Sequence, residues 1–372
     1  MSTELEHEQI LPETSQEETV DLNDESFENF DEFEELSYGL SEEASDEYSG
    51  YSIFTESSIE TYKSPVISVE ETVPEDPLMP VPPKRYPDML FLMGKDFPKA
   101  IHAHAYVRSL IKWKKICPKQ KIEILAPGGN YKNGLFFFSI YKDNFYGSAY
   151  CHEKTDKSIL NEALSKSRYV PVQDQYNMCR LSCLNYNTLE AVGTIISKEN
   201  WCLSSDVVLW LPWYCAREVE VHLPHDGVKI RKLGLEHMDL INESWQDNFP
   251  GSRDLLDDMF QIYNGLGLFA GESLLSWAFV WYHGGIGIIQ TIESEKGKGY
   301  CRPVVEALTK GMGDCLIDVH LKIPREKRKD IIFFSELGFR HAFKAISCET
   351  KKNEDEKNLK KIDDPKSQDG SN

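Results

Sequence analysis

Several patterns that identify common classes of protein are missing from this chain. No apolar run is long enough for a membrane span or a signal peptide, and the N-terminus, acidic from Glu4 on, does not resemble a mitochondrial transit peptide. The nine cysteines include no CxxC pair and no zinc-like Cys/His spacing. This favours reduced thiols in a cytoplasmic or nuclear protein and predicts no metal site. Neither a Walker loop nor a GxGxxG fingerprint occurs.

Basic residues are nearly absent from the first 80 positions, which hold 24 of the 61 acidic residues but only one basic residue, Lys63. Charge repulsion and sparse apolar content predict that residues 1–85 are disordered. Aromatic residues spaced between the charges favour a tail that binds a protein partner, and a plain solubilising extension is the alternative. Residues 349–372 are predicted to be a second, charge-mixed flexible tail.

The remaining chain predicts an α/β protein of two halves, 86–225 and 226–348. In the first half, apolar residues at helical spacing predict a long helix over Asp96–Cys117, capped by Asp96 and with Pro98 in its first turn. Strands, a turn and a shorter helix follow, so this half is mixed α/β. The predicted architecture is therefore a mixed central sheet in each half, flanked by helices.

The second half is more regular. From Val228 onward, the hydrophobic pattern predicts the order β-α-α-β-β-β-α-β-α-β. A glycine-rich segment precedes the third helix, whose inner face is predicted to be Val304, Val305, Leu308 and Met312. Mixed sheets with helices on both faces usually bind ligands at the carboxyl ends of their central strands. The glycine segment follows such a strand end.

That segment, Lys296 to Cys301, reads "KGKGYC". Its glycines let the backbone approach a ligand closely, and the start of the following helix offers unpaired N–H groups and a favourable dipole. Lys296 and Lys298 add positive charge, so a pyrophosphate is a natural guest. The alternative from these residues alone is an exposed loop kept soluble by lysines.

The stretches "NGLGLFAGESLLSWAFVWYHGGIGIIQTI", "KGKGYCRPVVEAL" and "FFSELGF" resemble the GNAT acyltransferase fold, and most of all an insect-type member of its glycine N-acyltransferase-like branch. "HAYVRSLIKWKK" and "PGGNYKNGLFFF" resemble the N-terminal domain of that branch. The resemblance covers about residues 86–346 and implies two tandem GNAT-like halves. It also implies an acyl-CoA or acetyl-CoA donor and a small amine acceptor.

The resemblance further implies the residues of the donor site. GNAT proteins bind the pyrophosphate through a [QR]xxGx[GA] loop, which aligns with Lys296, Gly297, Lys298, Gly299, Tyr300 and Cys301. Lys296 replaces the usual Gln or Arg, and Cys301 replaces the final Gly or Ala. The preceding strand is expected to bind the pantetheine arm through its backbone and to polarise the thioester carbonyl, at Ile289, Thr291 and Ile292.

Two positions depart from the family pattern. The amine must lose a proton to attack, and the glycine branch places a glutamate where this chain has Ser294. Glu293 and Glu295 flank it and are the alternative bases, although strand alternation would direct both away from the face of Ser294. Many GNAT enzymes also carry a tyrosine, as general acid, where this chain has Phe334.

Three further patterns carry less functional weight. His102 and His104 are two residues apart on the first predicted helix, so their side chains do not face each other and joint metal binding is not expected. His283, beside two glycines, is interpreted as a turn residue. The basic stretch "KIPREKRKD" contains no interleaved aromatics, which favours a solvated helix start over nucleic-acid binding.

Together these features predict transfer of an acyl group from acyl-CoA to the amine of a small acceptor such as glycine. One alternative is a catalytically silent protein that binds acyl-CoA and interacts with a partner. Another is a protein N-acetyltransferase that recruits a basic substrate through its acidic tail. Neither nucleic-acid binding nor a membrane span is expected.

Overall fold

The computed structural model describes residues 75–351, except for 172–174, 199–200, 247, 250 and 264. Residues 1–74 of the predicted acidic tail and 352–372 of the predicted flexible tail lie outside the described residues. The inner boundaries of both tails were wrong, because the chain is already ordered there. The strand Leu78–Pro80 pairs with the strand Lys121–Pro127, and residues 349–351 belong to the strand Arg340–Lys351. The described ranges form two β-sheets flanked by helices, which confirms the predicted α/β class. None of the helices in these ranges has both the length and the apolarity needed to cross a bilayer.

The strands in these ranges are short to medium in length, and we number them in chain order. They are β1 (Leu78–Pro80), β2 (Lys121–Pro127), β3 (Leu135–Tyr141), β4 (Asn144–Tyr150), β5 (Met178–Leu184), β6 (Cys202–Leu211), β7 (Lys229–Lys232), β8 (Gly265–Ala270), β9 (Ser273–Val280), β10 (Ile286–Thr291), β11 (Val319–Pro324) and β12 (Arg340–Lys351).

The α-helices of the same ranges are numbered in the same way. They are α1 (Tyr86–Gly94), α2 (Ile101–Ile116), α3 (Lys157–Lys166), α4 (Tyr186–Ala191), α5 (Gly193–Lys198), α6 (Trp213–Ala216), α7 (Met238–Ser244), α8 (Ser252–Ile262), α9 (Cys301–Asp314) and α10 (Arg328–Glu336).

One sheet crosses the predicted boundary between the halves. It has eight strands in the order β1-β2-β3-β4-β5-β12-β6-β11, and the other sheet has four, in the order β10-β9-β8-β7. Only β4 and β5 pair in parallel among the described strands, so the large sheet is mixed. Strand β12, from the second half, lies between β5 and β6 of the first half. The predicted boundary at residue 225 thus divides the sequence, but the large sheet contains strands from both sides of this boundary.

The second half follows the predicted order, from β7 through α7, α8, β8, β9, β10, α9, β11 and α10 to β12. The predicted inner face of α9 is also confirmed, because Val304, Val305, Leu308 and Met312 are each at most 1% exposed. This stripe packs α9 onto β8 and β9. Burial of these four side chains anchors the start of α9, where the glycine segment ends.

The prediction for the first long helix was wrong at its start. Helix α2 begins at Ile101, and Asp96 and Pro98 lie in the turns before it. Asp96 does not cap the helix, since its Oδ2 accepts a hydrogen bond of 3.1 Å from the Tyr150 hydroxyl instead. Helix α2 also contacts β2, β3 and β4 on one side and β11 and α8 on another. This double packing buries His102, which lies outside the predicted apolar stripe.

Candidate functional site

The unpaired edges of the two sheets lie next to each other, and the space between β10 and β11 is here called the cleft. Strand β10 is the outer strand of the four-stranded sheet, and β11 is the outer strand of the eight-stranded sheet. The two strands meet where β10 begins: a Cβ built on Gly285 would lie 2.7 Å from the carbonyl oxygen of His320. Within the described residues no hydrogen-bonded ladder joins β10 to β11. Both edges therefore present backbone groups to the space between them.

Strand β10 is irregular inside this cleft. Its pairing with β9 shifts register between Gly287 and Gln290, which is a β-bulge. Within the bulge Ile288 has a φ of +46°, a conformation that is rare for a β-branched residue. Bulges redirect backbone and side-chain groups and are common beside active sites. The bulge turns part of the β10 backbone away from the regular ladder and toward the cleft.

Two of the three predicted pantetheine-binding positions, Ile289 and Thr291, lie in β10, and Ile292 directly follows it. The Ile292 amide donates a 2.9 Å hydrogen bond to the Leu275 carbonyl on β9, so this amide is not available to a ligand. Because successive amides of a strand point in opposite directions, the Thr291 amide faces the cleft. The Thr291 hydroxyl lies 2.9 Å from that of Ser276 on β9. Ile289 belongs to the bulge itself.

The glycine loop, residues 296–300, follows at the carboxyl end of β10 and leads directly into α9. Gly297 and Gly299 have φ values of +80° and +84°, and a Cβ on either would meet no atom within 4 Å. Positive φ explains why glycine stands at both positions, and the open space leaves room for a guest. Among the described residues, no backbone carbonyl accepts a hydrogen bond from the amides of Gly297, Lys298 or Gly299.

Those free amides lie at the N-terminal end of α9, where the helix dipole favours an anion. Two glutamate carboxylates partly offset the positive charges of Lys296 and Lys298. Lys296 Nζ lies 2.5 Å from a carboxylate oxygen of Glu293, and Lys298 Nζ lies 2.8 Å from one of Glu295. Tyr300, the last residue before α9, brings its hydroxyl to 3.3 Å from Nε2 of His225.

The alternation argument about the candidate bases was wrong. Residues Glu293–Glu295 form a single 3-10 turn after β10 ends at Thr291, so no strand alternation applies to them. Ser294 is exposed. Glu293 and Glu295 differ in exposure, at 85% and 23% of the side chain. Glu295 is therefore the more enclosed of the two carboxylates.

The last residue of the loop motif, Cys301, is a half-buried thiol. Burial, and secondarily the Asp330 carboxylate, raise the pKa of Cys301 to about 12. The sulfur is thus a protonated thiol at neutral pH and fills space at the start of α9. Phe334 on α10 is buried and packs edge-on against Phe333 and Phe339.

A histidine cluster lies at the closed end of the cleft, and sequence reasoning missed it. His104 contacts the ring of Phe97 and does not pair with His102. Instead His102 on α2 meets His283, after β9, and His320 on β11. His102 and His320 are 218 positions apart, so no spacing rule would connect them. The sequence feature that could have indicated the cluster is His102, because it is a polar residue on a helix that is packed from two sides.

Comparison with protein families gives a match over the segment that contains the glycine loop. Residues 265–347 match a family model described as FR47-like protein. The matched segment runs from β8 into β12 and includes β10, the glycine loop and α9. No curated protein matches the sequence.

Solved structures of low sequence identity are similar to this chain, and the first of them shares its fold. A Drosophila melanogaster protein is 14% identical with a TM-score of 0.65, and the match covers 74% of this chain and 98% of that one. A tandem GNAT protein from the clavulanic acid biosynthesis pathway is 10% identical with a TM-score of 0.47, covering 73% and 97%. A GCN5-related N-acetyltransferase from Kribbella flavida is 11% identical with a TM-score of 0.49, covering 68% and 95%.

Proposed function

We propose that this chain transfers an acyl group from acyl-CoA to the amine of a small acceptor such as glycine. One observation carries the proposal: a loop of free amides at the start of α9 lies at the end of an unpaired strand edge in an open cleft. Such a loop suits a pyrophosphate, and such an edge suits the amide groups of a pantetheine arm. The FR47-like match across the same elements supports this assignment.

In the proposed complex, the amides of Gly297, Lys298 and Gly299 hold the pyrophosphate. Lys296 and Lys298 add charge once they exchange their glutamate partners for phosphate oxygens. The pantetheine arm runs along β10 and pairs with backbone groups that include the Thr291 amide. This places the thioester beside the bulge at Ile288.

In the transfer step, the neutral amine attacks the thioester carbon, and negative charge develops on the carbonyl oxygen. A backbone N–H of the bulge, at Ile288 or Ile289, donates to that oxygen. The intermediate collapses by breaking the C–S bond, so coenzyme A leaves as its thiolate and the amide product forms. Glu295, the more enclosed carboxylate, accepts the ammonium proton through water.

A second candidate is a silent acyl-CoA-binding protein, and a specific observation favours it. Both carboxylates near the loop are engaged by lysines, and Phe334 offers no proton to a leaving thiolate. In this alternative the loop and strand edge bind acyl-CoA in the same way, but no acyl group is transferred. Binding and turnover must therefore be measured separately.

Calorimetry of acetyl-, butyryl- and benzoyl-CoA with the full chain tests the binding step. Gly299→Glu should weaken binding by about a hundredfold or more, roughly 2.7 kcal/mol, because it directs a carboxylate to the phosphate position. The matched control is Gly271→Glu, at another open glycine with positive φ, in the turn between β8 and β9. Equal losses in both variants would contradict a role for the loop.

Release of free thiol, followed with and without glycine, tests the transfer step. Thiol release that requires an amine supports acyl transfer. Binding that persists while no small amine triggers release would support the silent alternative instead. If the unmodified chain binds none of the three donors, both readings of the cleft are wrong.

A further inference from the structure

Three histidines meet where the two halves of the chain join. His102 lies on α2, His283 in the turn between β9 and β10, and His320 on β11, and each is at most 2% exposed. Their ring centroids are 4.9, 5.2 and 5.6 Å apart. One ring nitrogen from each histidine lies within 4.8 Å of the corresponding nitrogens of the other two. This three-histidine cluster belongs to neither the glycine loop nor the strand edge.

The hydrogen bonds of the cluster leave one nitrogen unsatisfied. His102 Nδ1 lies 3.2 Å from His320 Nε2, and His102 Nε2 lies 3.4 Å from the Ser182 hydroxyl. One consistent assignment has His320 donate to His102, and His102 donate to Ser182. His320 Nδ1 then has a lone pair with no partner among the described residues. A buried polar atom without a partner is costly, so the cluster is not closed by its own contacts.

The electrostatics keep all three rings neutral. Burial is the main cause that lowers the pKa of His102 and of His283 well below the usual value, and it lowers that of His320 to about 3. The nearby cations Lys322 and Arg180 act in the same direction on His283. Neutral imidazole is the form that binds a metal ion, so these rings need not lose a proton first.

The same two cations do not leave an uncompensated positive charge beside the cluster. Lys322 Nζ lies 3.7 Å from Oδ2 of Asp206, and Arg180 Nε donates a 2.9 Å hydrogen bond to Glu349. Each cation thus carries its own carboxylate partner. A divalent ion among the rings would meet two ion pairs rather than two isolated charges.

We propose that His102, His283 and His320 bind one zinc-class ion, Zn²⁺ or Co²⁺ in preference to Mg²⁺ or Ca²⁺. Three neutral nitrogen donors suit this class, whereas the hard cations require oxygen ligands. Zinc–nitrogen bonds of about 2.0–2.1 Å place two ligand nitrogens of a tetrahedral ion roughly 3.4 Å apart. The 3.2 Å between His102 Nδ1 and His320 Nε2 is already close to that value. Ligation through Nε2 requires the His320 proton to move to Nδ1, which has no hydrogen-bond partner among the described residues. A small movement of the His283 ring would bring its ligand nitrogen to the same distance.

The surroundings fit the ligand geometry. In the assignment given above, His102 Nε2 donates to the Ser182 hydroxyl, and this tautomer leaves Nδ1 free for the ion. Ligation by His283 exchanges its 3.2 Å hydrogen bond from the Gly285 amide for a metal bond. Gly285 itself leaves room for the His320 ring, because a Cβ there would lie 2.7 Å from His320 Nε2.

The ion would join α2 of the first half to β11 of the second at the closed end of the cleft. A water molecule would occupy the fourth coordination position of the ion. Metal binding by the cluster does not depend on acyl-CoA binding, so a result that refutes one of the two proposals leaves the other unchanged.

Metal content and metal-dependent stability of the full chain provide the test. After incubation with Zn²⁺ and removal of excess metal, elemental analysis should find about one Zn²⁺ per chain, and Co²⁺ should give the visible absorption of a tetrahedral site. Zn²⁺ should raise the melting temperature, and a chelator should reverse the rise. These readouts need no variant, and an unmodified chain that keeps no zinc and shows no Co²⁺ spectrum would overturn the proposal.

Variants then locate the site. His102→Gln and His283→Gln should each lower Zn²⁺ affinity by at least tenfold in competition with a coloured chelator. His104→Gln, two residues from His102 on the same helix and outside the cluster, is the matched control and should bind normally. Equal zinc binding by all three variants would place the ion elsewhere on the chain and overturn the proposal.

Discussion

At the scale of single residues, the candidate site contains side chains whose chemistry is set by burial. Cys301 occupies the last position of the glycine-loop motif, where a reactive thiol would permit an acyl-enzyme intermediate. Its raised pKa, caused mainly by burial, makes it a poor nucleophile instead. Direct attack of the amine on the thioester is therefore the route that these residues support.

This assignment predicts selective alkylation. With iodoacetamide at pH 8, the exposed Cys202 should react faster than Cys301 by roughly a hundredfold or more, because only the thiolate reacts and Cys301 remains a thiol. Peptide mass spectrometry at timed intervals measures both rates. Labelling in denaturant is the control, where the two rates should become similar. Equal rates in the folded chain would contradict a half-buried, protonated Cys301.

At the same scale, the sequence identified the loop but not the cluster beside the cleft. Gly297 and Gly299 could be recognised because a local motif and their backbone requirement coincide. His102, His283 and His320 come from three distant elements, and only the packing of α2 against β11 brings them together. The bulge at Ile288 was equally hidden, since a register shift depends on the partner strand.

At the scale of elements, β12 is the strand on which the large sheet depends most. Cys348, in the C-terminal half of this strand, pairs with Leu181 of β5 and with Leu203 of β6. The residue is fully buried. A central strand needs every backbone N–H for its two ladders, whereas an edge strand does not.

Proline at this position should therefore be strongly destabilising. Cys348→Pro removes one ladder hydrogen bond and leaves its acceptor buried, which costs about 1–3 kcal/mol before any clash of the ring is added. Cys348→Ala is the control, since it keeps the N–H and removes only the sulfur. Urea unfolding of both variants gives the comparison. The role of β12 is refuted if the proline variant unfolds at the same urea concentration as the alanine variant.

The order of helices and strands along the chain was predictable from the sequence, whereas the pairing of strands in the sheets was not. The apolar pattern of the second half gave its ten elements in the correct sequence, because periodicity is a local property. The same pattern says nothing about which strands pair over long distances. Nothing within Arg340–Lys351 indicates that this strand enters a sheet built largely by the first half.

At the scale of the whole molecule, buried histidines link stability to pH. Burial and the Arg108 guanidinium lower the pKa of His104 to about 3, and the three cluster histidines are also shifted down. In the unfolded chain these side chains titrate near 6.5. Below that value the unfolded chain binds protons that the folded chain does not bind. The stabilising contribution is thus present above about pH 6.5 and is lost as the pH falls toward 3.

Between about pH 6 and 5, each such histidine should lower the free energy of unfolding by up to roughly 1.4 kcal/mol per pH unit. His104→Gln should reduce this slope by about one proton relative to the unmodified chain, and His341→Gln, at an exposed position, serves as the control. Urea unfolding at several pH values, with a chelator present, measures the slope. An unchanged slope in His104→Gln would contradict a neutral, half-buried imidazole.

The position of β12 has a consequence for synthesis on the ribosome. Strands β5 and β6 leave the ribosome without the strand that separates them, because β6 ends at Leu211 and β12 begins at Arg340. At about 5–20 residues per second, translation of the intervening stretch takes roughly 10 s. For that time the first half has two strand edges with no partner, so it cannot complete its sheet as an independent unit. Both halves of the chain reach their final pairing together, after translation has passed residue 351.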